Sequence, residues 1–293
     1  MNLDNLDTKM EKTWCPGCPN FLILEAFKEA VLELDNENKS KIKDTAIVAG
    51  IGCHAKIFDY LNMSGFYGLH GRVLPVAQGI KIGNPNLTVV GFGGDGDTFA
   101  EGASHFVHAC RRNSDITMIV HDNQVFALTV GQPTPTSEKG FLDGYPEPGV
   151  QEKPLNPLAL ALVSGASFVA RGSALDKDYL KELIKKAVEH KGFSFIDVLQ
   201  PCIIFHNVVP YFKKNVYKLD ETHDKSSFGL AFKKALEWDY CFDQDRPIPT
   251  GVFYQVEKPI FEDQLPSKKP FYLVERQISK EEIFKEFNYR AFL

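Results

Sequence analysis

Residues 87–97 read LTVVGFGGDGD. The apolar run 87–92 predicts a buried strand, and it passes straight into Gly93-Gly94-Asp95-Gly96-Asp97. A helix is predicted over 100–112, then a second apolar run at 116–120 (ITMIV) that ends in His121-Asp122-Asn123. The same rhythm recurs on both sides. An apolar stretch at 46–51 (AIVAGI) runs into Gly52 and predicts a buried strand, and segments 166–170 and 193–199 predict further strands, with an amphipathic helix over 178–190 between them. Near the start, 20–34 (NFLILEAFKEAVLEL) is apolar on more than one face and predicts a partly buried helix, with Asn20 as its N-cap. Strand, loop, helix, strand is the pattern of an α/β protein, a parallel sheet with helices on both faces. In such sheets ligands bind at the carboxyl ends of the strands. The loops at 52–56, 93–97 and 121–132 follow predicted strands and are expected to share that edge.

From about residue 203 the rhythm decays into a tail rich in Phe, Tyr, Lys and Pro, with helices expected near 227–238 and 279–289. The expected division is a domain over 1–202 and an extension over 203–293 that packs on that domain or on a partner. There are no internal repeats.

Composition sets limits on function. The chain has 293 residues, 44% hydrophobic and 24% charged, enough for a sizeable core, with a net charge of −5 and a pI near 5.9. No basic field is available to attract nucleic acid or an anionic membrane surface. No stretch approaches the roughly 20 apolar residues that span a bilayer, and residues 1–13 are polar. A cytoplasmic location is therefore expected, where thiols stay reduced and clustered cysteines point to metal or redox chemistry.

Gly94-Asp95-Gly96 at a strand end suits a diphosphate, because a backbone without Cβ lets phosphate oxygens come close and a following helix aims its N–H groups at the anion. Asn123 stands 28 residues beyond Asp95, at the end of the next strand. The Asp95 carboxylate, the Asn123 side-chain carbonyl and the Val125 backbone carbonyl would give Mg²⁺ three protein ligands. No Gly-Lys-Ser/Thr follows, which excludes a P-loop. Gly91, Gly93 and Gly96 do fit G-x-G-x-x-G, so a nicotinamide or flavin site competes; against it, Asp95 would repel a bare pyrophosphate unless a cation lay between them.

Six cysteines occupy positions 15, 18, 53, 110, 202 and 241. Cys15 and Cys18 form a C-x-x-C, while Cys53 and Cys202 each follow a predicted strand. Four thiolates can hold a [4Fe–4S] cluster or a zinc ion, and the strand-end placement favours a cluster at the sheet edge. Cys110 and Cys241 read as packing residues.

Taken together, Trp14-Cys-Pro-Gly-Cys18, Gly50-Ile-Gly-Cys53, Leu69-His-Gly-Arg72, Gly93-Gly-Asp-Gly-Asp97, His108-Ala-Cys-Arg-Arg-Asn113, Asp122-Asn-Gln-Val-Phe126, Thr129-Val-Gly-Gln132 and Gln200-Pro-Cys202 resemble the β subunit of 2-oxoacid:ferredoxin oxidoreductases, nearer the 2-oxoglutarate or broad 2-oxoacid type. The resemblance implies the thiamine-diphosphate-binding fold and CoA-dependent oxidative decarboxylation of a 2-oxoacid such as 2-oxoglutarate or pyruvate, with electrons passed to ferredoxin. It implies that Cys15, Cys18, Cys53 and Cys202 ligate a [4Fe–4S] cluster. Asp95, Asn123 and Val125 would hold Mg²⁺, with Gly94, Gly96, Asp97, Leu128, Thr129, Cys53 and His54 completing the cofactor site. Lys56 and His70 would approach substrate or cofactor; the plainer alternatives are a solvated lysine on a helix and a histidine satisfied by loop carbonyls. An α subunit is the implied partner and would supply the glutamate that activates the pyrimidine ring. The chain departs from the family pattern at Pro19, at Phe126-Ala127 and at Val130, where relatives carry glycine, Tyr-Gly and a basic residue. Two other readings stay open: half of a different thiamine-diphosphate enzyme, which needs no cluster, and a zinc-stabilised subunit without catalysis.

Overall fold

A computed structural model describes residues 2–142, 147–242, 245–275 and 279. In chain order the elements are α1 (Asn20–Asn36), β1 (Thr45–Ala49), α2 (Ile57–Tyr60), β2 (Ser64–Tyr67), α3 (Val73–Gly83), β3 (Thr88–Gly94), α4 (Ala103–Arg112), β4 (Thr117–Asp122), a short hairpin of β5 (Val125–Phe126) and β6 (Gln132–Pro133), α5 (Pro157–Val163), β7 (Phe168–Ser173), α6 (Lys177–Glu189), β8 (Ser194–Leu199), α7 (Val209–Asn215), β9 (Val216–Lys218), α8 (Phe228–Ala235) and β10 (Ile248–Gln255). The main sheet runs β2-β1-β3-β4-β8-β7-β10-β9, parallel throughout except where β10 runs antiparallel to β7.

The central strands are buried on both faces, so they read as near-continuous apolar runs. Alternate residues still part to opposite sides. Ile47, Val90, Ile119 and Ile196 face one layer, with α1 and α6, while Val48, Val89, Met118 and Phe195 face the other, with α3, α4, α5 and α8. In that second layer Phe106 meets Phe99, Phe193 and Phe195 edge to face. Lys177, Lys181 and Lys185 of α6 pair with Glu29 and Glu33 of α1 and with Glu37 just past its end, a partly exposed seam that fixes the register of the two helices more than it stabilises them.

Two sequence-based expectations change. Asn20 is not an N-cap: Pro19 holds that place, and Asn20 is fully buried against the sheet. The helix expected from residue 100 is two pieces, a π-helical turn over Gly96–Glu101 and then α4. The segment after 203 is built into the sheet, since β10 pairs along β7 and carries β9 beside it. The intervening β2 and α3 had no sequence assignment, because Ser64–Tyr67 is an exposed edge without alternation. The helix expected near 279–289 lies outside the described residues beyond 279. No helix among the described residues is long and apolar enough to cross a membrane.

The tail is locked in by a buried ion pair. The Arg171 Nε atom donates to Asp197 Oδ2 at 3.0 Å, the Tyr240 hydroxyl donates to the same oxygen at 2.8 Å, and the guanidinium lies over the Trp238 ring. Removing one partner of such a pair leaves a buried charge unmatched. Asp197→Leu should therefore destabilise the fold by about 3–5 kcal/mol, and adding Arg171→Met to it should restore most of that loss. Urea denaturation checks both; equal midpoints for the single and double variants would contradict the pairing.

Candidate functional site

The chain leaves β1 toward β2 at the sheet edge and leaves β3 toward β4 in the opposite direction. The carboxyl ends of β1 and β3 therefore flank a topological switch point, the place where an open α/β sheet leaves a crevice. A cavity of about 90 Å³ lies there. Cys53 and His54 reach it from the loop after β1, His70 from the turn before α3, Gly94, Asp95, Gly96 and Asp97 from the end of β3, and Asn123, Val125, Leu128 and Thr129 from the end of β4. Every cofactor-site residue expected from the sequence thus lines one cavity. Larger hollows of about 690 and 520 Å³ are open surface grooves; the second runs along the amino ends of β3 and β4.

Asp97 ties the loops together. Its Oδ1 accepts from the backbone N–H of Gly71 at 2.7 Å and of Ile51 at 3.2 Å. His70 Nδ1 lies 3.1 Å from that oxygen without hydrogen-bond alignment, and His54 Nε2 stands 3.7 Å from Oδ2. Gly50 is required beside it, because a Cβ there would collide with the Asp97 carboxylate. Burial pushes the Asp97 carboxyl above its usual range, and the two N–H donors oppose that rise. Burial drives His54 well below the ordinary imidazole range, so the ring is neutral, and His121 is pushed down to about 3. His121 Nδ1 donates to Asn20 Oδ1 at 2.8 Å, since a carbonyl oxygen can only accept.

Asp95 is 1% exposed, and burial pushes its pKa up to about 6. Its support comes from hydroxyls and backbone N–H groups, with Thr136 donating to Oδ2 at 2.7 Å. The same hydroxyl lies 3.1 Å from Asp122, a carboxyl that burial and the nearby Asp197 and Asp95 hold far above its usual range. A buried carboxyl held by neutral donors, beside the Asn123 amide and the end of β4, is a donor set suited to a hard divalent cation.

A second cavity, of about 60 Å³, abuts the first and is lined by Cys15, Cys18, Cys53 and Cys202. The C-x-x-C closes as a turn in which Cys18 N–H donates to Cys15 O at 3.0 Å and Gly17 takes a φ of +80°, a conformation that suits glycine. Trp14 anchors this turn: its indole N–H donates to the Cys53 carbonyl at 2.7 Å. Burial pushes the Cys18 thiol up to about 11, with Cys53, Cys202 and Cys15 adding to the rise, and burial raises Cys53 as well. Such thiols ionise only when a metal binds them. Among the described residues no three His, Cys, Asp or Glu side chains converge closely enough to hold a single metal ion; the four thiols ring a space instead.

Lys56 lines the cysteine cavity and not the one at the switch point, and its Nζ donates to the Thr13 carbonyl at 3.2 Å. Arg72 is exposed and donates to the Glu101 carbonyl at 3.1 Å. Cys110 is core packing, as expected. Three contributors were not among the expected site residues: Thr136, Asn20, which was read as a helix cap, and Gln200. Thr136 sits in a Thr-Pro-Thr-Ser run that looks like any loop, whereas Gln200 was marked by its place beside Cys202.

Comparison with known proteins gives a consistent picture. Residues 50–198 match the family described as thiamine pyrophosphate enzyme, C-terminal TPP binding domain, and residues 202–269 match the family of the C-terminal part of the pyruvate ferredoxin oxidoreductase beta subunit. A 2-oxoacid:ferredoxin oxidoreductase subunit beta from a Sulfolobus species is 44% identical over 89% of this chain and 87% of its own length. The 2-oxoglutarate synthase subunit KorB of Archaeoglobus fulgidus is 37% identical over 81% of this chain and 91% of its own. Among solved structures, the 2-oxoglutarate:ferredoxin oxidoreductase from Magnetococcus marinus, with 2-oxoglutarate, coenzyme A and succinyl-CoA bound, superposes with a TM-score of 0.83 at 30% identity, covering all of this chain and 93% of that one.

Thr136→Val keeps the volume and removes the hydroxyl that serves two buried carboxyls. It should lower stability by about 1–3 kcal/mol, read as a lower melting temperature. An unchanged melting temperature would show that the hydroxyl carries no such burden.

Proposed function

The chain belongs to the β-subunit family of 2-oxoacid:ferredoxin oxidoreductases, and from that premise we propose that it binds thiamine diphosphate with Mg²⁺ at the switch point and a [4Fe–4S] cluster on Cys15, Cys18, Cys53 and Cys202. The enzyme would act with an α subunit in CoA-dependent oxidative decarboxylation of a 2-oxoacid of the 2-oxoglutarate or pyruvate class, and would pass electrons to ferredoxin in the cytoplasm. One observation carries this reading: the cysteine cavity and the switch-point cavity share Cys53, Asn123 and Ala127, so an electron acceptor in one would abut a cofactor in the other.

When bound, thiamine diphosphate supplies an electron sink for the carbon that loses CO₂, and the cluster supplies one-electron transfer. This chain's residues do the positioning. Asp95, Asn123 and the Val125 carbonyl would hold the cation, while Asp97 keeps the three loops at a fixed spacing and so keeps the site preorganised. The neutral His54 ring adds no charge beside the diphosphate. Leu128 at the cavity, with Val130 and Leu69 next in sequence to the cavity residues Thr129 and His70, is exposed apolar surface that a partner subunit would cover. A four-iron cage spans more space than one ion, which suits thiols that ring a cavity without converging. A glutamate able to reach the pyrimidine ring is assigned to the α subunit.

Co-expression with the α subunit under anaerobic conditions, followed by iron, sulfide, zinc and thiamine diphosphate analysis, tests the assignment. About four irons and four sulfides per β chain are expected. Stoichiometric zinc without iron would replace the electron-transfer role with a zinc-stabilised subunit. The isolated chain should retain little cofactor and turn over no 2-oxoacid; robust turnover without the partner would sink that part.

Metal binding should also depend on pH in a stated direction. Asp95 must lose its proton to ligate, and its raised pKa of about 6 means that it is protonated below that value. The rise in melting temperature on adding Mg²⁺ and thiamine diphosphate to the cofactor-free complex should be large at pH 7.5 and shrink as pH falls through about 6. Asp95→Asn should weaken Mg²⁺-dependent retention by about 100-fold or more, since even the loss of a group that only orients a ligand costs about 10–100-fold, and should remove most of this pH dependence.

A further inference from the structure

Gln200 is 1% exposed at the end of β8, and its backbone N–H donates to the Asp122 carbonyl at 2.9 Å. Its side chain reaches in two directions. Its Oε1 accepts from Asn123 Nδ2 at 3.3 Å, and its Nε2 donates to the Pro201 carbonyl at 3.2 Å and to Cys18 Sγ at 3.9 Å. The orientation of the amide is set by its surroundings. Asn123 Oδ1 is occupied by the Val125 N–H at 3.0 Å, so the Asn123 amide must turn its N–H toward Gln200. The Pro201 carbonyl can only accept. The Gln200 oxygen therefore faces Asn123, which lines both cavities, and its N–H group faces the cysteines. Among the described hydrogen bonds, this one side chain runs from a proposed cation ligand to a proposed cluster ligand.

On the cofactor assignment above, we propose that Gln200 is a positioning residue that couples the two centres: by donating to the Cys18 sulfur it raises the reduction potential of the cluster, and by accepting from Asn123 it ties that donation to the geometry of the diphosphate site. The direction follows from charge. A reduced cluster carries more negative charge on its sulfurs, so an N–H donor stabilises the reduced form more than the oxidised one. The apolar surroundings of Trp14 and Ile203 strengthen the effect, because little water competes for the sulfur.

Two variants separate the arms of the bridge. Gln200→Glu keeps the shape and the acceptor toward Asn123 but places an oxygen where the donor stood. Gln200→Leu removes both arms. The measurement is an EPR-monitored redox titration of the anaerobic α–β complex, with iron, sulfide and thiamine diphosphate determined on the same samples. Both variants should reduce at lower potential, with the reduced-to-oxidised ratio at a fixed potential falling by about tenfold, a shift of about 59 mV for a one-electron couple. In the wild type the midpoint should also differ between cofactor-free and cofactor-loaded complex, and Gln200→Leu should abolish that difference. Iron-replete variants with wild-type midpoints would overturn the proposal while leaving the cofactor assignment intact. Should neither variant assemble a cluster, the wild-type comparison still decides: a midpoint indifferent to cofactor binding contradicts the coupling. A wild-type complex without iron would instead remove the cofactor assignment on which the proposal stands.

Discussion

A single buried carboxylate, Asp97, closes the loop cluster on which the site depends. Parallel strands deliver loops to one edge of the sheet, but at a switch point those loops diverge and nothing in the sheet holds them together. Asp97 spans the gap by accepting from Ile51, after β1, and from Gly71, before α3, while its own backbone lies in the first turn of the π-helical segment after β3. The geometry leaves no room for alternatives nearby, since Gly50 gives way to that carboxylate. A π-helical turn is a costly departure from the α-helix, and such turns recur where a side chain must be aimed at a ligand.

The second theme is unmatched polarity. Asp95, Asp97, Asp122 and Asp197 lie buried within one region, and only Asp197 has a buried cation in hydrogen-bond contact, Arg171. Asp95, Asp97 and Asp122 respond by holding their protons more tightly, the ordinary outcome of moving an acid out of water. The Cys18 and Cys53 thiols do the same. Both clusters are less favourable without a cation than with one. On the assignment proposed above, these groups, side by side across cavities that share Cys53 and Asn123, would receive two metal centres in close succession.

Much of this was legible in the sequence, for a physical reason. Strands buried on both faces give apolar runs that need no periodicity to be noticed, so β1, β3, β4, β7 and β8 stood out, together with the loops that follow three of them. The cavity residues could be grouped because each sits just past such a run. What stayed hidden was of other kinds. β10 carries Pro249 and Gly251, which read as strand breakers, yet its neighbours accommodate both. Asn20 looked like a cap because asparagine beside proline usually is one; its burial against His121 depends on a partner 101 residues away. Thr136 and Gln200 act through contacts set by tertiary structure, and local pattern carries no signal for a hydrogen bond that crosses between strand ends.

The central claim is that the two cavities form one electron path inside this chain. The most direct measurement is EPR of the anaerobically purified, oxidised α–β complex after addition of a 2-oxoacid and coenzyme A, with no other reductant. The account predicts that the signal of a reduced [4Fe–4S] cluster grows in with substrate and is lost in Asp95→Asn. A complex that carries its full iron and thiamine diphosphate, yet leaves the cluster oxidised for every 2-oxoacid supplied, would contradict it.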